Sequence, residues 1–108
     1  MFARVTLAEI DPVRMPVNQA LRLFEESVLP ELRRQDGYAG VYVLTTPEGK
    51  ALLLSLWDTP ESAQRSVDSG YYEAQLARFA TVFRSPPGRE QYEVAMVDQP
   101  VAARGPRS

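Results

Sequence analysis

The chain of 108 residues is long enough for one domain with a single core, and small enough that a partner subunit would add usefully to its buried surface. Fourteen acidic against twelve basic residues leave a net charge of -2 with no strong asymmetry, which argues against a phosphate-binding surface and so against nucleic acid. Cysteine and histidine are both absent, and their absence removes disulfides, thiolate and imidazole metal sites, haem held by His or Cys, and the Ser-His-Asp and Cys-His nucleophiles together.

The acidic residues are scattered, without the Asp-x-Asp spacing of an oxygen-ligand loop, so no metal and no other cofactor is expected. No apolar run approaches the roughly 18 residues of a membrane span, and the opening MFARVTLAEI has no long apolar stretch behind a basic start. The expectation is a cytoplasmic protein that does not engage a membrane.

In chain order, FARVTLAE (2–9) has a period near two with β-branched and aromatic content, which predicts a strand that DPVRMP then breaks. From Val17 to Arg34, apolar Val17, Ala20, Leu21, Phe24, Val28 and Leu32 recur every three or four residues opposite charged positions. That spacing predicts one amphipathic helix, with a kink at Pro30, whose ring removes a backbone donor and crowds the Glu26 carbonyl.

GYAGVYVLTT (37–46) and KALLLSLW (50–57) read as a hairpin across PEG, where Pro47 presets a turn and Gly49 can take positive φ. The second strand, with Leu52, Leu53, Leu54 and Leu56, lacks polar alternation, which is the pattern of a strand buried on both faces. Thr59, Pro60 and Glu61 then supply an N-cap, a first helical residue and an acid at the positive end of a helix dipole. This helix runs to Val67 and ends near Ser69-Gly70, and a second one follows with Tyr72, Leu76, Phe79, Ala80 and Phe83 at helical spacing. SPPG (85–88) stops it, and EQYEVAMV (90–97) reads as the last strand, with Tyr92, Val94 and Met96 on one side. Residues 1–97 form the domain and 98–108 a flexible C-terminal tail without periodicity.

Strand, helix, two-stranded hairpin, helix pair and strand make the βαββαβ order of an α+β, ferredoxin-like domain: a four-stranded antiparallel sheet with helices on one face. The apolar second face of the hairpin predicts a homodimer in which two sheets pack together. VLPELRRQDGYAGVYVL followed by LSLWDTPESAQRSVDSGYYEAQ resembles the antibiotic biosynthesis monooxygenase type of domain, in the dimeric α/β barrel superfamily. The shared features are a helix ending before Gly-aromatic-x-Gly, a strand ending in Trp, a Thr-Pro-Glu helix start, and a small residue before an aromatic pair.

The resemblance covers roughly residues 2–97 and implies fold more firmly than activity, because the superfamily also holds haem-degrading enzymes and isomerases. The haem-degrading branch would need a histidine near Gln75 or Leu76, an asparagine near Thr6 or Ala8 and a second tryptophan near Ser66, and the chain has none of them. The monooxygenase branch implies oxidation of a phenolic or quinone-like small molecule without metal or flavin, since a deprotonated substrate can itself pass an electron to dioxygen.

Such chemistry needs an apolar, aromatic-lined cavity between sheet and helices, with a few polar groups that hold an anion. The candidate lining is Thr6, Tyr42, Trp57, Tyr72, Phe79 and Tyr92, and the candidate anion stabilisers are Arg4 and Arg84. No residue stands out as a catalytic base. Alternation puts Ala51, Leu53, Ser55 and Trp57 on one strand face, where two small residues beside a large one leave room for a ligand, with Trp57 and Tyr42 as walls. Each aromatic also has a core reading: Tyr72, Phe79 and Phe83 fill a helix-on-sheet layer equally well, and Tyr38 and Tyr42, on one strand face, are core or wall. Arg4 and Arg84 have a surface reading. The partner is thus a small aromatic ligand or substrate, either turned over by a monooxygenase or another enzyme of the superfamily, or bound by a non-catalytic sensing domain.

Overall fold

A computed structural model describes residues 1–98; the expected tail, apart from Asp98, lies outside the described residues. Strand β1 (Phe2–Glu9) is followed by helix α1 (Val17–Leu23), a π-helical turn (Phe24–Val28) and the short helix α2 (Leu29–Leu32). Then come β2 (Tyr38–Thr45), β3 (Lys50–Trp57), α3 (Pro60–Asp68), α4 (Tyr71–Arg78) and β4 (Gly88–Glu93). The sheet order is β2-β3-β1-β4 with every neighbouring pair antiparallel, so this is the α+β, ferredoxin-like arrangement. Among the described residues, no helix is long and apolar enough to cross a membrane.

The long helix expected from Val17 to Arg34 is present, but its irregularity lies N-terminal to Pro30. Proline at 30 offers no N–H to the Glu26 carbonyl and would collide with it, and a wider π turn over Phe24–Val28 absorbs the mismatch before the α-helix resumes at Leu29. The start of α3 follows its residues closely. Thr59 is extended, its hydroxyl accepts from the Ser62 N–H at 3.1 Å, and Pro60 takes the first helical position. Immediately before β2, Gly37 has φ +80, and a Cβ there would collide with the Ser62 side chain, so the approach of β2 to α3 requires glycine.

Two boundaries differ from the sequence reading. Helix α4 stops at Arg78, and Phe83 belongs to a following turn where it bridges to Ile10. The backbone then pairs with the end of β1, the Arg84 N–H donating to the Glu9 carbonyl at 2.8 Å, so the chain is committed to the sheet before SPPG is reached. β4 accordingly begins at Gly88 and ends at Glu93, and Val94 and Met96, expected inside the strand, lie beyond it.

A third difference decides which side chains face the helices. Opposite β3, the register of β2 steps from Tyr38↔Trp57 to Gly40↔Leu56, two residues against one, so Ala39 is the extra residue of a β-bulge. Tyr38 therefore meets Trp57 edge-on beneath the helices, ring centroids 6.0 Å apart. Tyr42, paired with Leu54, emerges on the open side of the sheet. The two tyrosines do not share a face, because the bulge resets the alternation between them.

Most of the buried apolar side chains form two clusters on the helical side. One gathers Ile10, Ala20, Val28, Phe79 and Val82, and the other centres on Trp57 with Leu32 and Ala63. Between them the layer is not filled.

Candidate functional site

The gap is a cavity of about 110 Å³ between the sheet and the helices, partly open to solvent. Its floor comes from alternate residues of the two central strands, Arg4, Thr6 and Ala8 of β1 with Ala51, Leu53 and Ser55 of β3. Its roof is Phe24 and Val28 of the π turn, together with Tyr71, Tyr72, Gln75 and Phe79 on and after α4. The wall is overwhelmingly apolar. Small residues at 8, 51 and 55 leave the space, since their own side chains are too short to reach the helices.

Arg4 is the exception to the apolar lining. It is 3% exposed, and among the described residues it has no carboxylate partner. Its Nη1 donates to the Ala63 carbonyl at 3.0 Å and to Ser66 Oγ at 2.6 Å, while Nε is buried without any partner. The guanidinium stands 4.5 Å from the Tyr72 ring centroid and 4.9 Å from that of Trp57. These contacts offset part of the desolvation cost, which for an unneutralised buried ion is several kcal/mol. Burial, more than the nearby Arg89 cation, pushes the Arg4 pKa down to about 10, so it remains charged at neutral pH. Arg89 itself sits 5.3 Å from the Tyr72 centroid, adding a second positive charge beside that ring.

Hydrogen bonds fix the remaining polar groups. Thr6 Oγ1 and Tyr72 Oη lie 2.7 Å apart, joining the floor to the roof. Trp57 Nε1 donates to Ser55 Oγ at 3.0 Å, and Ser55 Oγ donates in turn to the Arg4 carbonyl at 3.3 Å. Tyr71 Oη donates to the Val28 carbonyl at 3.2 Å, and burial, followed by the charge of Glu31, raises its pKa to about 12. Tyr71 is therefore a held phenol rather than a proton acceptor. Gln75 lines the cavity with its amide oxygen Oε1 buried and unpaired. No carboxylate or imidazole lines the cavity among the described residues, and no cluster of three potential metal-ligating His, Cys, Asp or Glu occurs there either.

Of the residues singled out from sequence, Arg4, Thr6, Tyr72 and Phe79 come together around this space. The other four do not line it. Tyr42 and Tyr92, 57% and 52% exposed, project from the other side of the sheet, Tyr42 because of the bulge and Tyr92 because it pairs with Ala3, whose side chain points away from the helices. Arg84 is exposed beside Glu73 and Pro86 in a separate surface depression, since the pairing of its backbone with Glu9 turns Phe83 inward and Arg84 outward.

Trp57 is a near miss. It lies on the predicted face, but at 0% exposure it is packed behind Arg4 and is not part of the lining. Sequence reasoning missed Phe24, Ser66 and Gln75 as contributors, while Tyr71 was among the aromatics it offered for a cavity. Phe24 was visible as an inward apolar position, and Ser66 and Gln75 each follow an inward residue by three, Ala63 and Tyr72, a spacing that puts them on the same helical face.

No family model and no curated protein matches the chain. Solved structures do. A Nitrosomonas europaea protein of unknown function is 22% identical over 93% of this chain and 94% of its own, with a TM-score of 0.71. A monooxygenase from Streptomyces coelicolor, solved in complex with nanaomycin D, is 14% identical over 93% of this chain and 92% of its own, with a TM-score of 0.73.

The chain has the antibiotic biosynthesis monooxygenase fold. A third neighbour with that fold, described as the cofactor-independent oxygenase SnoaB from Streptomyces nogalater, is 9% identical over 89% of this chain and 94% of its own, with a TM-score of 0.69. A likeness at these identities concerns fold. Haem fits this space badly on the chain's own residues: the roof presents Gln75 and Leu76, neither of which ligates iron as an imidazole or thiolate would, and a space of about 110 Å³ is far smaller than a porphyrin.

Proposed function

We propose that the protein is a cofactor-independent monooxygenase of a phenolic or quinone-like small molecule, working as a cytoplasmic homodimer. The observation that carries this reading is Arg4, a buried cation with no carboxylate partner among the described residues, at the edge of an otherwise apolar cavity. A protein that keeps such a charge gains from it only when an anion arrives, and a phenolate or enolate beside Arg4 would supply the missing charge while its ring fills the apolar space. The oxygenases among the structural neighbours support the same chemistry.

The wall residues define how the steps divide. Because no carboxylate or imidazole among the described residues lines the cavity to take a proton, the substrate loses it to water and is held as the anion by Arg4, whose charge lowers the substrate's own pKa. The carbanion form passes one electron to dioxygen, and the resulting radical pair joins as a peroxide at carbon. Proton uptake by the peroxide and loss of water then convert a CH₂ into a carbonyl, consuming one O₂ and releasing one H₂O. The apolar wall excludes water that would otherwise solvate and quieten the anion.

An oxygen electrode with single-ring phenols, the size the cavity admits, tests the reading. Uptake stoichiometric with product, without added metal or flavin, is expected, rising with pH through the substrate's ionisation and falling as Arg4 loses its proton near pH 10. A second reading, a binding or sensing domain without turnover, is favoured by the lack of a proton-transferring group in the wall, and ligand-induced thermal stabilisation with no oxygen uptake would select it. The homodimer rests on the open face of the sheet, where Leu7, Tyr42, Leu44 and Tyr92 are 40–57% exposed.

A further inference from the structure

Among the described residues, two buried side-chain polar atoms lack a hydrogen-bond partner, Arg4 Nε and Gln75 Oε1, and both belong to side chains that line the cavity. One is a donor and the other an acceptor. Native interiors rarely leave such groups unpaired, because each forfeits its hydration without return. Neither atom has surface open to the cavity as it stands, so a molecule that answers both is met by a small turn of each side chain. They flank the same ring. Arg4 stands over Tyr72, and Gln75 follows Tyr72 by three residues on the inner face of α4. The Thr6–Tyr72 hydrogen bond satisfies the polar groups lying between them, so that pair makes no further demand on a ligand.

The size of the space narrows the class. A dry cavity of about 150 Å³ accommodates benzene, so one of about 110 Å³, open on one side, suits a single substituted ring. We propose that the cavity selects a single-ring dihydroxy aromatic, with one ionised oxygen accepting from Arg4 Nε and a second hydroxyl donating to Gln75 Oε1. Gln75 is then the specificity-determining residue. The amide needs only a rotation about its terminal torsion, which is soft, to meet the hydroxyl. This assignment rests on the reading of the cavity as a ligand site given above, and not on whether the ligand is oxidised.

Calorimetric titration with the three dihydroxybenzenes and their monomethyl ethers separates the possibilities, because each ether keeps the ring and one phenol but cannot donate a second hydrogen bond. Emission from Trp57, the chain's only tryptophan and a neighbour of Arg4, gives a second readout. At least one dihydroxybenzene should bind about tenfold more tightly than its ether. Gln75→Leu should erase that difference while leaving the affinity for the ether within about twofold. Equal binding of diol and ether to the natural protein, as when a resident water already satisfies both atoms, overturns the assignment, and so does a preference that survives Gln75→Leu. Failure of all six compounds to bind overturns both this proposal and the ligand-site reading. Selective binding without oxygen uptake overturns only the monooxygenase.

Discussion

The two faces of the sheet are built from the same four strands yet do opposite things. On the helical face, alternate residues of β1 and β3 bring Arg4, Thr6, Ser55 and Trp57 under cover, where every polar group must find a partner or wait for one. On the other face, the intervening residues Leu7, Tyr42, Leu44 and Tyr92 stand exposed, with Leu52, Leu54 and Leu56 half-buried between them. The covered face has an unneutralised charge and too much room, while the open face has apolar surface and nothing over it. Strand alternation separates these two kinds of incompleteness by a single residue step. Each asks for a different occupant, a small anion on one side and a second apolar surface on the other.

The comparison breaks most visibly at Trp57. If this residue is the back wall that holds the covered face together, Trp57→Ala should cost about 3–5 kcal/mol in chemical denaturation, as large-to-small changes at fully buried aromatics do. A loss below about 1 kcal/mol would return Trp57 to the role of a yielding cavity wall.

On the open face, Leu44→Glu places a charge on an exposed residue of the edge strand β2. Light scattering should show two chains for the natural protein and one for the variant, with the helical content unchanged. A dimer untouched by this substitution would mean that the open face is not the interface, and a natural protein that is already a single chain would remove the homodimer altogether.

Arg4→Met separates function from stability on the covered face with the smallest energetic change. Removing an unpaired buried cation in favour of a flexible apolar side chain should leave the thermal midpoint unchanged or raise it, while phenolate affinity falls at least tenfold, about 1.4 kcal/mol. A variant that unfolds instead would make the bonds from Arg4 to Ala63 and Ser66 the reason for its burial.

Much of this was legible in the residues. The order of elements, the Thr59-Pro60 helix start and the shared face of Ala51, Leu53, Ser55 and Trp57 follow from local rules, capping and period-two alternation, which operate over a few residues. The cavity floor was readable for the same reason: small residues on an inward face leave space wherever the helices lie. Tyr42 went to the wrong side because faces were assigned across a break in alternation: Ala39 is an extra residue only when Trp57 and Leu56 stand opposite it, whereas the side of Tyr92 is set by its pairing with Ala3.

The sequence by itself therefore determined an α+β sheet with one helical layer, a roomy inner face and an apolar outer one, because these depend on the composition and period of each segment. Tertiary structure alone decided the bulge, the end of α4 at Arg78, and the meeting of Arg4 with Ser66, Tyr72 and Trp57. Those outcomes depend on contacts between residues distant in the chain, 19 positions apart for Tyr38 and Trp57 at the bulge and 53 to 68 for Arg4 and its neighbours. Whether a charge is buried, and whether it is paired there, is a property of what packs against it, and no local pattern carries that information.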